Sequence, residues 1–201
     1  MGSWGVKAHE SDRGLDYLGL IRDEILKPSD YSQFDVTVVL EHLKNHIIKG
    51  IRHDCRPFTK EEIKHYKANN LPIPNDSGVL TEEQIQEYVD YNFPICYSYV
   101  IALVAECLND YFQTGVYLIH DYKADTERKI TKFVYTSDNL EFLAIELEKF
   151  LKPTHSEYES WKESKSFRKW KSHIKKLCEC MVMAWNIVES LSHQEGCGGN
   201  G

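Results

Sequence analysis

Between Pro94 and Gly115 the chain reads ICYSYVIALVAECLNDYFQT, and this segment limits the available folds more than any other. From Ile95 to Phe112 it is apolar nearly all round. A helix of that kind has no face to give to water, so other elements must cover it on every side. Tyr97, Ser98, Tyr99 and Glu106 interrupt the run, and no stretch of 18 or more apolar residues occurs. The segment therefore reads as a buried core helix and not as a membrane span.

The flanking sequence supplies the covering elements. Ser11 and Asp12 are good helix caps, and Leu15, Leu18, Ile21 and Ile25 follow with helical spacing until Pro28. Ser29 and Asp30 start a second helix with Val36, Val39, Leu40, Leu43, Ile47 and Ile51 on one side. Thr59 and Glu62 form a capping box for a short third helix, and Thr81 and Gln84 form another. The helix begun at Thr81 is expected to end or kink before Pro94. Between these, residues 69–78 hold two prolines, three asparagines and a glycine, and read as a loop.

After Gly115 the texture changes. Residues 116–122 and 130–136 are rich in β-branched and aromatic side chains, with a polar connection at 123–129. This pattern predicts a β-hairpin. Asp138 then caps a helix running to about Leu151. Ser156 begins the last and longest helix, with Trp170, Ile174, Leu177, Met181, Trp185 and Val188 along one side. The expected fold is α+β and predominantly α, a bundle of about six to seven helices with one small hairpin. An all-α bundle with loops in place of the hairpin is the alternative. Residues 1–195 form one globular domain in this reading, and 196–201 a flexible tail.

The chemistry-bearing residues are few. No phosphate-binding glycine loop, nucleophile elbow or dinucleotide fingerprint is present, so no catalytic residue is assigned. His42 and His46 lie four apart on the second helix, as metal-binding pairs do, and His53 continues the stripe. His53 falls about 10 Å further along the axis, too far to share one ion. The stripe reads as a polar flank with no cofactor. The alternative is a divalent metal such as zinc, held by His42 and His46 and completed from elsewhere, in a metal-dependent enzyme.

The six cysteines show no Cys-x-x-Cys spacing and read as reduced thiols. Cys178 and Cys180 sit about 200° apart on a helix and cannot chelate together. Cys197, in the glycine-rich tail, is expected to be exposed.

The formal net charge is -7 with histidine neutral. Residues 161–176 run against it, with seven Lys or Arg to one Glu, so the rest of the chain carries -13. Lys165, Arg168, Lys169, Lys171 and Lys175 form a basic patch, and Trp161, Phe167 and Trp170 lie among them. Such a pattern can contact phosphates and stack bases. It can equally pair with Glu146, Glu148, Glu157 and Glu159 nearby. The acidic balance of the whole argues against nucleic acid and leaves another protein as the expected partner.

The opening, MGSWGVKAHESDRGLDYLGL, places Trp4 between two glycines and Asp12 four residues before Asp16. An indole so placed can anchor the terminus, and the two aspartates suit the start of a helix or a binding role. Gly2, Trp4, Gly5, Glu10, Asp12 and Asp16 match an uncharacterised bacterial domain family, whose members commonly open Met-Gly-Ala-Trp-Gly and continue Glu-Asn-Asp-x-Ala-x-Asp. The chain resembles that family over about its first 20 residues. It departs at Lys7, His9, Ser11 and Gly14. The resemblance implies a bacterial, cytoplasmic protein and transfers no catalytic role. Some similar small acidic bacterial proteins act as antitoxin or immunity factors, so a protein-interaction module, of immunity or inhibitor type, is the expected function. No secretory signal or membrane anchor is expected.

Overall fold

The computed structural model describes residues 6–26, 33–69, 80–121 and 126–196. A 3-10 turn, Ala8–Glu10, leads into α1 (Asp12–Leu20), which widens into a π turn at Ile21–Ile25. Then come β1 (Gln33–Asp35), α2 (Val36–Asp54), α3 (Lys60–Ala68) and α4 (Glu82–Thr114). The second half holds β2 (Tyr117–Asp121), β3 (Thr126–Ile130), β4 (Lys132–Val134), α5 (Ser137–Phe150), α6 (Ser156–Trp161) and α7 (Phe167–Gly196). The fold is α+β and predominantly α, with one antiparallel hairpin, β2–β3.

α4 is the axis. Val100 to Asn109 are all buried, and α1, α2, α5 and α7 pack around them. α4 is the one described helix long and apolar enough to cross a bilayer, and here its apolar window packs against the other helices. Ser98 and Glu106 are buried with it. The helix does not end at Pro94 but continues through it. Proline removes the N–H that Asp90 would have received, but Asp90 is exposed, so water takes that bond. Gly115, with φ of 73°, supplies the left-handed C-terminal stop.

α2 buries Val36, Val39, Leu40, Leu43, Ile47 and Ile51, the stripe read from the sequence. It starts at Asp35, whose carboxylate accepts from Val38 N–H; residues 29 and 30 lie outside the described residues. α1 buries Gly14 and Tyr17 and leaves Leu15 exposed. The expected stripe through Leu15 and Leu18 is therefore shifted round the helix, because Tyr17 brings the larger apolar surface. Both threonine capping boxes form, and a third one caps α5 at Thr136, two residues before the expected Asp138.

The hairpin differs in register from the sequence reading. Tyr117 pairs with Ile130 and Asp121 with Thr126, so the polar stretch 126–130 is itself a strand. The middle of the expected second strand, Lys132–Val134, instead forms β4, which pairs in parallel with β1. Phe34 and Phe133 stack there at 4.7 Å. The expected final helix from Ser156 is broken at 162–166 into α6 and α7, and α4 is longer than α7. Trp170, Ile174, Leu177 and Met181 are buried, while Trp185 and Val188 are only partly so.

Candidate functional site

Glu106 is the one carboxylate within the buried middle of α4, and its side chain is 4% exposed. Oε2 accepts from the His9 ring at 2.9 Å, and Oε1 accepts from the His173 ring at 2.7 Å. The backbone N–H groups of Ala8 and His9 donate to the same carboxylate at 2.7 and 3.3 Å. One buried anion thus ties the N-terminal turn, the core helix and α7 together. Burial pushes the carboxyl up, but the bonds from His173, His9 and Ala8 outweigh it and hold it at about 2. The bond to Glu106 raises the His9 imidazole above its ordinary value, against the opposing effect of burial.

Gly14 makes this geometry possible. A Cβ there would stand 1.9 Å from the Ala8 carbonyl oxygen. Ser11 completes the turn, accepting from Gly14 N–H and donating to Ala8 O at 2.6 Å. Gly14→Ala therefore drives the turn off α4. Its expected cost is about 1–3 kcal/mol of unfolding free energy by denaturant titration. An unchanged midpoint would mean that the turn is not seated here.

Two clefts flank His9. The larger, about 510 Å³, is walled by His9, Asp16, Arg22, Asp110, Tyr117 and His120. The smaller, about 140 Å³, lies between Lys7, Glu106, Asp110, His173 and Lys176. An imidazole backed by a carboxylate at a cleft wall is suited to proton transfer. Arg22 is engaged by Asp23 through two bonds of 2.6 and 2.8 Å.

Of the residues singled out in the sequence, Asp16 and His46 are brought to one cleft, and His42 is engaged by Glu24. Asp12 occupies the first turn of α1, where Ser11 is the cap. Asp16 is exposed and shares a cleft of about 270 Å³ with Arg13, His46 and Cys96. His42 bonds Glu24 at 2.9 Å. Among the described residues, no group of three or more His, Cys, Asp or Glu is placed to hold a metal ion. Trp4 and Cys197 lie outside the described residues.

The basic patch is exposed along the start of α7, but Trp170 within it is buried and Trp161 and Phe167 are partly so. Trp170 is 3% exposed and stacks on Trp161 at 5.7 Å and on Phe167 at 6.0 Å. Base stacking on Trp170, one of the roles the sequence suggested, is therefore closed off. Glu157, one of the expected partners of the patch, is buried beside Ser98, with Ser98 Oγ at 2.6 Å. Burial raises its pKa above the ordinary carboxyl value.

The far end of α7 is the opposite case. Met183, Ile187 and Leu191 are 63%, 57% and 57% exposed and lie on one stripe. From Cys180 to Ser192 the only charged residue is Glu189. Ala144 O meets Cys178 Sγ, and Phe150 shares a cavity with Trp170 and Ile174, so α5 and α7 run antiparallel. That register sets Ser137 opposite residue 185, and α7 projects roughly 16 Å past the end of α5. Compared with protein-family models, curated proteins and solved structures, the chain has no match.

Proposed function

We propose that the protein is a protein-interaction module that docks its partner along the projecting end of α7. The observation that carries this reading is the uncharged stripe of Met183, Ile187 and Leu191, left in water beside a partly exposed Val182 at the far end of α7. Exposed contiguous apolar surface of this kind marks interaction sites. The spacing of four residues suits a groove that receives one helix face. Three part-exposed side chains fall well short of the roughly 20 residues per side in a stable interface. A second copy's stripe therefore does not suffice, and the occupant is a partner groove that wraps the projection. The opening residues resemble an uncharacterised bacterial domain family, and some similar small acidic bacterial proteins act as antitoxin or immunity factors, which is in keeping with this reading.

The test places a photo-crosslinking residue at Ser190, beside the stripe, in wild type and in an Ile187→Ser/Leu191→Ser variant. Both positions are exposed, so folding stability should change by no more than about 0.5 kcal/mol per site. Wild type is expected to crosslink to one partner protein in a stable one-to-one complex, and the variant to lose it. Equal crosslinking by both proteins, or crosslinking only to a second copy, overturns the reading.

A further inference from the structure

We propose that the basic outer face of residues 165–176 binds the phosphate backbone of duplex DNA. Arg168, Lys169, Lys171, Lys175 and Lys176 are exposed on α7, and Lys165 is exposed in the turn before it. At about 100° per residue the five helical cations span roughly 160°, centred opposite the buried stripe of Trp170, Ile174, Leu177 and Met181. They occupy about 12 Å of helix.

What distinguishes this face is that its charge is not compensated. Lys175 reaches Glu179 at 3.7 Å, with both side chains exposed. Lys165, Arg168, Lys169, Lys171 and Lys176 have no ion-pair partner among the described residues. Three of the nearby carboxylates are engaged by other groups, and neither Glu148 nor Glu163 reaches these cations. Glu146 pairs with Lys149, Glu159 pairs with Lys162, and Glu157 is buried against Ser98. Glu148 makes no ion pair among the described residues. Three of the cations also lie in the first turns of α7, where the helix dipole disfavours positive charge. Such an arrangement costs stability in the free protein and is relieved by an anionic partner.

The chemistry of the face selects among polyanions. A protein interface is built round apolar and aromatic anchors, with lysine depleted, and this face has none exposed. A helix that lies in a membrane surface needs an apolar side to insert, and the apolar side of α7 here is in the core. Single strands are held by aromatic stacking, and here Trp170 is buried while the partly exposed Trp161 and Phe167 are stacked on it. Backbone phosphates of a duplex require only charge at this spacing. The B-form major groove admits a helix, whereas the deep, narrow groove of duplex RNA does not. The contact carries no base recognition, so it is independent of sequence.

The test is fluorescence anisotropy of a labelled DNA duplex of about 20 base pairs with the full chain, over roughly 50 to 200 mM salt. Five phosphate contacts give an expected slope of log affinity on log salt of about -4 to -5. Lys165→Gln/Arg168→Gln/Lys169→Gln should flatten that slope by about 3 and weaken binding more than tenfold at low salt. A charge-matched control, Lys129→Gln/Lys132→Gln/Lys152→Gln, changes exposed lysines elsewhere and should retain most of the affinity. The proposal is overturned by absent binding at the lowest salt or by equal loss in both triple variants. Equal affinity for a single strand, or binding to phosphatidylserine vesicles but not to duplex, also overturns it.

Discussion

Glu106→Ala is expected to lower the free energy of unfolding by about 3–5 kcal/mol, or roughly 10 °C in Tm for a chain of this size. The carboxylate receives two imidazoles and two backbone N–H groups. Its removal leaves those donors facing a hole beside the core, so the loss exceeds that of a single bond. The pH dependence makes the prediction specific. The Glu106 carboxyl lies at about 2, below its ordinary 4.5, so its contribution is present above 4.5 and is lost as pH falls towards 2. That contribution is about 3 kcal/mol by linkage. The His9 imidazole is raised above 6.5, so its contribution is present below 6.5 and is lost as pH rises through the folded value. The two overlap between pH 4.5 and 6.5, where wild type should exceed the variant most. Urea titrations of both proteins from well below pH 4.5 to well above pH 6.5 measure the difference and its fall on either side. Parallel pH profiles in the two proteins would show that Glu106 does not carry this network.

Trp170→Ala is expected to cost about 3–5 kcal/mol as well. The indole is 3% exposed, stacks on Trp161 in α6 and on Phe167, and touches a small void of about 30 Å³ lined by Val6, Ala8 and Phe150. Truncation enlarges that void at the point where α6, α7 and the N-terminal turn meet. The rigid frame of α4, α5 and α7 limits collapse, which places the cost in the upper range for large-to-small changes. Trp170→Phe, which keeps a ring, should lose less than half as much. Denaturant midpoints with an unchanged m-value read the effect. A loss below about 1 kcal/mol would mean the indole is not in the core.

These two residues also show what the sequence discloses. Trp170 was legible, because local helical spacing puts it on the same stripe as Ile174, Leu177 and Met181. The same reasoning found all six buried positions of α2 and both threonine capping boxes, where the physics is confined to a few neighbouring residues. It misplaced the second hairpin strand. Residues 126–130 are mostly polar, and their strand form depends on pairing with Tyr117–Asp121 rather than on propensity. Glu106 stood out as an acid in an apolar run, but its partners His9 and His173 are 97 and 67 residues away. No periodicity joins positions so separated. His42 and His46 had suggestive spacing, and the fold gives His42 to Glu24 instead. The basic segment was visible as composition. That its cations stand uncompensated follows only from where Glu146, Glu157 and Glu159 spend their charge.

The clasp on Glu106 also orders the folding reaction in time. Its bonds to Ala8 and His9 close a loop of nearly half the chain, which is entropically costly before the helices are in place. The turn can take its seat only once α4 and α7 have come together to build it. Interactions made that late are absent from the folding transition state, so they act on the rate of opening and leave the rate of folding almost untouched. The hold of Ala8 and His9 on Glu106 is thus expected to govern how long the native state persists.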